Sequence, residues 1–167
     1  MLTNENVFDL DRLPGRLAVM GGGPIGVELP QAFARLGSAV TVVEAEPRLL
    51  PGEKPEASEV VTGALRRDGA SLCTGDQVTD VVPRGRSGSA RLRLKSGMTV
   101  DADRVLVATG RRPATAGRLE TVGVAVDQRG YVRTDAILAT SVPGIWAIGD
   151  VTGRMPFTHA ADCMAVS

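Results

Sequence analysis

The chain has 167 residues, with 19 Lys+Arg against 19 Asp+Glu and one His, so its formal net charge is zero at pH 7; 43% of residues are hydrophobic and 3% aromatic. That length suits one domain, or one domain with part of another, and the apolar content is enough for a buried core and too high for a disordered chain. Zero net charge offers no long-range field to a polyanion or a membrane surface, no apolar run approaches the ~20 residues of a spanning helix, and no basic-then-apolar signal opens the chain, so nucleic-acid and membrane partners are disfavoured and a cytoplasmic protein is expected.

Residues 1–13 are polar and mixed and read as a lead-in segment, closed by Pro14-Gly15. Leu17-Ala18-Val19-Met20 is a short continuous apolar run of the kind a strand buried on both faces shows. It runs into Gly21-Gly22-Gly23-Pro24-Ile25-Gly26, after which Ile25, Val27, Leu29, Phe33 and Leu36 mark a helix that stops at Gly37, with Pro30 inside it removing a backbone donor. Val40 to Val43 is β-branched and reads as a second strand, and Pro47 and Pro51-Gly52 mark a loop. A helix over Ala57–Asp68 and a strand over Ala70–Cys73 complete a β-α-β-α-β order, which implies a parallel sheet. Val78–Val82, Ala90–Leu94 and Thr99–Ala102 then have the short spacing of a three-stranded antiparallel meander, and Val105–Ala108 returns as a buried strand.

Beyond Arg112-Pro113 the composition loosens. Strand-like pieces are expected near Val124, at Tyr131-Val132 and over Gly144–Ile148, the last ending at Gly149-Asp150. A helix begins near Thr158 and the sequence stops at Ser167, which reads as part of a longer protein. The fold class expected is α/β: a Rossmann-like parallel sheet with an antiparallel meander, followed by a partial second domain.

Gly21-x-Gly23-x-x-Gly26 has the spacing of a dinucleotide-binding turn, and each glycine has a mechanical reason. The first allows the tight turn, the second lets a pyrophosphate approach the backbone, and the third lets helix and strand pack closely. The helix N-terminus adds free N–H groups and a positive dipole end. Glu44, 23 residues after Gly21 at the end of the second strand, is placed to accept from the adenosine ribose hydroxyls and to repel a 2′-phosphate, which favours NAD over NADP. The bland reading of Glu44 is a solvated strand-end carboxylate, and Arg48 nearby is a candidate acceptor of a 2′-phosphate.

Four stretches in order, Leu13-Pro14, Gly21 to Glu28, Ala108-Thr109-Gly110-Arg111-Arg112-Pro113, and Thr140 to Asp150, give the chain its resemblance to the pyridine nucleotide-disulfide oxidoreductases, flavoproteins that include dihydrolipoamide dehydrogenase and mercuric reductase. The resemblance implies that residues 14–113 are an NAD domain and 114–167 a partial FAD-domain segment. It implies that Gly21, Gly23, Pro24, Ile25, Gly26 and Glu44 hold the dinucleotide, that Gly110 passes near it, and that Glu28 lies near nicotinamide and flavin. It also implies that Gly149-Asp150 is the second flavin motif, with the carboxylate on the ribityl chain of FAD, and that the parent is a homodimer.

The departures bear on function. The family's own FAD fingerprint and, in its disulfide members, a C-x-x-x-x-C pair are absent, as is the dimerisation domain with its His-Glu pair. His159 stands only nine residues after Asp150, the wrong place for that histidine, and Pro24 stands where many members have an aromatic. No catalytic residue and no metal site are expected in this chain. Its expected function is the NAD(H)-binding part of an oxidoreductase passing hydride between NADH and FAD, with FAD in the parent protein and not retained here; the alternative is a stand-alone NAD-binding module without catalysis. With its partner segments missing, the chain is also expected to self-associate or fray over residues 114–167.

Other candidates are weaker. Arg84, Arg86, Arg91, Arg93 and Lys95 form a basic cluster without interleaved aromatics, and the Arg91-Leu92-Arg93-Leu94 alternation reads as one solvated strand face. Cys73 and Cys163, 90 positions apart, have no metal-like or C-x-x-C spacing and read as reduced, unlinked thiols.

Overall fold

The computed structural model describes residues 1–85, 88–110, 113, 115, 119–155 and 158–165. They divide into two compact units, Met1–Gly110 and Arg111–Ser167.

In the first unit the elements follow the apolar runs closely. Strand β1 (Arg16–Met20) leads to helix α1 (Pro24–Arg35), β2 (Ala39–Glu44), α2 (Pro55–Arg67) and β3 (Ser71–Thr74). Then come β4 (Val78–Arg84), β5 (Ser89–Leu94), β6 (Thr99–Ala102) and β7 (Arg104–Val107). The parallel sheet has the order β3-β2-β1-β7, and β4-β5-β6 form a separate antiparallel sheet. Met20 is paired with Val43 on one side and Val107 on the other, so the C-terminal ends of β1, β2 and β7 share one edge. The chain leaves β1 for β2 on one side and returns at β7 on the other, and this switch point is where an open α/β sheet has its crevice.

Alternation along β1 sorts the core into two layers. Leu17 and Val19 join Val27 of α1, Leu65 of α2, Val40, Val42 and Leu106 on the helical face. Ala18 joins Val105 and the meander residues Ala90, Leu92 and Ala102 on the other. A strand covered on both faces needs an unbroken apolar run, which is why 17–20 has no polar residue. Each fully buried Val or Leu here contributes about 1.5–3 kcal/mol of transfer free energy.

Several expectations are corrected. Leu36 lies at the C-cap of α1 and is 69% exposed, outside the apolar face assigned to it; α1 runs continuously through Pro30, which is buried against the core. Residues 1–13 are more than a lead-in. Leu2 and Val7 are buried in the helical-face core, and Leu2 bridges Leu106 in parallel, its N–H donating to the Val105 carbonyl at 2.6 Å while its own carbonyl accepts from Val107 at 2.9 Å. The apolar residues of this stretch, Met1, Leu2, Val7, Phe8, Leu10 and Leu13, follow no helix or strand period that would betray which of them are buried.

The second unit contains no extended strand among its described residues. The strand-like pieces reduce to single bridges, Val126 with Val132 and Ala139 with Trp146. The 144–148 run is not a buried strand: Ile145, Trp146 and Ile148 are all exposed. Its local order comes from backbone bonds to the preceding turn, Thr140 N–H on the Ile145 carbonyl and Ala147 N–H on the Leu138 carbonyl, and that turn is held by the Asp135 carboxylate, which accepts from the N–H groups of Ile137 and Ala139. Residues Gly149–Thr152 form a 3₁₀ turn, and helix α3 (Thr158–Ala165), which contains His159 as expected, comes after it.

Candidate functional site

The glycine turn between β1 and α1 is built by steric necessity at two of its three fingerprint positions. Gly21 has φ +101°, and a Cβ on it would lie 2.5 Å from the Ala108 carbonyl oxygen, so both conformation and space demand glycine. On Gly26 a Cβ would lie 2.0 Å from the Gly21 carbonyl oxygen; this is the close packing of helix on strand. Gly23 is different. Its φ of −72° and ψ of −171° suit any residue, and nothing lies within 4 Å of where its Cβ would be. Among the described residues nothing requires a glycine there, and the space beside it is open.

Gly23 is the N-cap of α1, no side chain among the described residues caps that end, and Pro24 occupies the first turn. Pro24 lacks an N–H, so the missing donor there costs nothing, while Ile25 and Gly26 present first-turn N–H groups that have no intrahelical acceptor. Such an end suits an anionic ligand. Glu28, one turn on, is exposed.

Glu44 ends β2 as expected, but it is not a solvated carboxylate. It is 9% exposed; its Oε2 accepts the Gly22 N–H at 2.5 Å and its Oε1 accepts the Glu46 N–H at 2.8 Å. Each carboxylate oxygen has a further lone pair to offer a ribose hydroxyl. Sequence spacing found Glu44 but gave no sign of the Gly22 contact.

The loop after β2 completes the wall. Leu49 is buried, and a Cβ on Gly22 would lie 2.6 Å from its Cδ2. Leu50 has φ +49°, its N–H donates to the Gly22 carbonyl at 2.8 Å, and the Ser58 hydroxyl donates to the Leu49 carbonyl at 2.7 Å. Arg48 donates to three carbonyls of the same loop, those of Leu50, Pro51 and Glu53. The sequence shows here a Pro/Gly-marked loop with Arg48 as a candidate phosphate acceptor; the adjacent leucines were the signal that part of it is buried.

Gly110 follows β7 three residues on, exposed, with φ +136°, while Arg111 and Arg112 lie outside the described residues. In the second unit Gly149 is buried with φ +73°; a Cβ on it would lie 3.1 Å from that of Ala161, and its N–H reaches the Met164 sulfur at 3.3 Å. Asp150 beside it is exposed.

Of the other candidates, Arg91 is not simply solvated: it makes a two-pronged pair with Asp101 at 2.6 Å on each prong, and Arg84 faces the same carboxylate at 3.9 Å. Arg86 lies outside the described residues. Cys73 lies on β3, where burial, helped by the Asp76 charge, pushes its thiol up and away from the reactive thiolate. No cluster of metal-ligating side chains occurs among the described residues, and none of their helices is long and apolar enough to cross a membrane.

The family described as pyridine nucleotide-disulphide oxidoreductase matches residues 1–165. The chain belongs to this family. Among its relatives, a dihydrolipoyl dehydrogenase of Thermus scotoductus is 38% identical over 168 residues, covering 94% of this chain and 36% of the relative. A mercuric reductase of Streptomyces lividans is 41% identical over 162 residues, covering 96% and 34%. Among solved structures, the HOCl-induced flavoprotein disulfide reductase RclA of Escherichia coli superposes with a TM-score of 0.87 at 34% identity, covering 98% of this chain and 38% of that one. The chain thus spans about a third of the length of these oxidoreductases.

Proposed function

We propose that residues 14–113 bind NAD(H) and that residues 114–167 contribute part of an FAD domain, in an oxidoreductase that passes hydride between NADH and FAD. The observation that carries this reading is Gly23: a glycine that neither backbone conformation nor packing requires, at the uncapped N-terminus of α1 on the switch-point edge of a parallel sheet. A pyrophosphate lying against the Gly23 backbone supplies the missing reason.

In this reading the N–H groups at Gly23, Ile25 and Gly26 hold the pyrophosphate, with Pro24 fixing the first turn. Glu44 accepts from the adenosine ribose and disfavours a 2′-phosphate. Gly110 lets the backbone run close to the dinucleotide, Glu28 stands toward the nicotinamide end, and Gly149-Asp150 presents a carboxylate to the ribityl chain of FAD. The nicotinamide supplies the hydride equivalent and the flavin accepts it; the chain's own residues bind and orient. The protein is proposed to be cytoplasmic and its parent a homodimer.

Titration of the purified chain with NADH and with NADPH, by fluorescence or calorimetry, tests the reading. Tighter binding of NADH is expected, in a colourless preparation that does not turn NADH over. Stoichiometric flavin in the purified chain, or dye-coupled NADH oxidation without added flavin, would overturn the division of labour; equal affinities would overturn the role of Glu44.

A further inference from the structure

We propose that Arg48 is a positioning residue for the dinucleotide turn and not a phosphate ligand; this rests on the reading of that turn given above. Arg48 is the only cationic residue between Glu44 and Glu53, so it is the one side chain of that segment that could select a 2′-phosphate. Three of its five guanidinium N–H groups are already committed to backbone carbonyls. Nη1 donates to the Glu53 carbonyl at 2.7 Å and to the Leu50 carbonyl at 3.3 Å, and Nη2 donates to the Pro51 carbonyl at 2.8 Å. A planar fork of donors suits three carbonyls converging from one tight loop, which a lysine ammonium cannot bridge in the same way.

What the clamp secures is the conformation of Leu50. At φ +49° this residue is in the left-handed region, where a leucine stays only when its surroundings hold it. In that conformation its N–H meets the Gly22 carbonyl at 2.8 Å, and the preceding Leu49 closes over the Gly22 α-carbon, with its own carbonyl tied to Ser58. Gly22 lies between the two fingerprint glycines Gly21 and Gly23. Its N–H is held by Glu44, its carbonyl by Leu50, and its α-carbon by Leu49. Two of those three restraints come from the loop that Arg48 holds. Arg48 thus acts on the cofactor through Leu50 and Gly22, and the charge that discriminates at the ribose is the Glu44 carboxylate alone.

The test uses the full chain and the variants Arg48→Ala and Arg48→Lys, with NADH, NADPH and ADP-ribose as titrants and amide hydrogen exchange read residue by residue. Loss of the clamp is expected to weaken NADH and ADP-ribose by roughly fivefold or more and NADPH by the same factor, leaving the NADH/NADPH ratio unchanged. Exchange at Leu50 should accelerate by about tenfold or more while Val19 and Val42 in the sheet interior keep the exchange of the parent chain. Arg48→Lys should behave like Arg48→Ala, because charge without the fork does not hold the loop; if the alanine variant does not fold, the lysine variant decides alone. A selective loss of NADPH binding in Arg48→Ala, rescued by lysine, would show a phosphate ligand and overturn the proposal. Parent-like Leu50 exchange and NADH affinity in either variant would overturn it too. If the unaltered chain binds none of the three titrants, the reading of the turn fails, and Leu50 exchange still decides whether Arg48 holds the loop.

Discussion

A Cβ added to Gly26 would stand 2.0 Å from the carbonyl oxygen of Gly21, while the same atom added to Gly23 would touch nothing within 4 Å. Gly26→Ala must therefore push α1 off β1, and should destabilise the first unit by about 1–3 kcal/mol or more. Gly23→Ala should leave the melting temperature within experimental error and abolish most dinucleotide binding. Thermal unfolding and NADH titration of the two variants together separate the glycine that the fold needs from the one proposed to serve a ligand.

Glu44→Ala removes the acceptor of two backbone N–H groups, one of them on the buried Gly22. An orphaned buried donor costs about 1–3 kcal/mol. Glu44→Gln keeps one acceptor oxygen but turns an NH₂ group toward the other donor, so its cost should fall between alanine and the parent. Both variants should narrow the preference for NADH over NADPH, by roughly tenfold for the loss of the charge. Denaturant unfolding measures the first effect and parallel cofactor titrations the second.

Stability should fall in acid through three carboxylates. The hydrogen bonds from Arg91 hold Asp101 below the usual carboxylate range, those from Arg16 do the same for Asp103, and the Ser96 hydroxyl does so for Asp76. A carboxyl depressed in the folded state contributes stability that is complete above its unfolded value, about 4, and is lost as pH falls through the folded value. Chemical denaturation between pH 7 and pH 2 should show little change at first and a modest fall below about pH 4. Asp101→Asn should flatten part of that fall, and added salt should reduce it, since these pairs face solvent.

Trp146 is the only tryptophan in the chain and is 60% exposed, which makes it a direct reporter of the second unit. A water-exposed emission maximum and ready quenching by iodide are expected at low protein concentration. If this unit self-associates through its apolar edge, the emission should shift to the blue as concentration rises and quenching should weaken. A buried emission in a strictly monomeric sample would contradict the structure of residues 138–148.

The parallel sheet is legible in the sequence because burial on both faces forces unbroken apolar runs such as 17–20 and 105–107, and misplacing an end by one residue does not change their pairing. The glycine turn is legible because its spacing marks Gly26, crowded by the Gly21 carbonyl five residues back, and Gly21, whose positive φ is a local demand; the Ala108 carbonyl that also crowds Gly21 is brought there only by the fold. What surrounds the turn is not. Whether Arg48 turns toward a phosphate or toward carbonyls depends on how residues 49–53 fold back, and the positive φ of Leu50 breaks the usual rule that such positions carry glycine. Gly144–Ile148 misled for another reason: β propensity expresses a half-buried surface offered by neighbours, and one bridge to Ala139 offers very little of it.

The amino-terminal residues set a practical boundary for dissecting the protein. A piece trimmed to begin at Leu13-Pro14, where the glycine-turn domain starts by motif, would strip Leu2 from the outer side of β7 and leave the Val105 carbonyl and the Val107 N–H unpaired on a bare edge. An open edge next to fully buried valine and leucine is an invitation to cross-chain pairing.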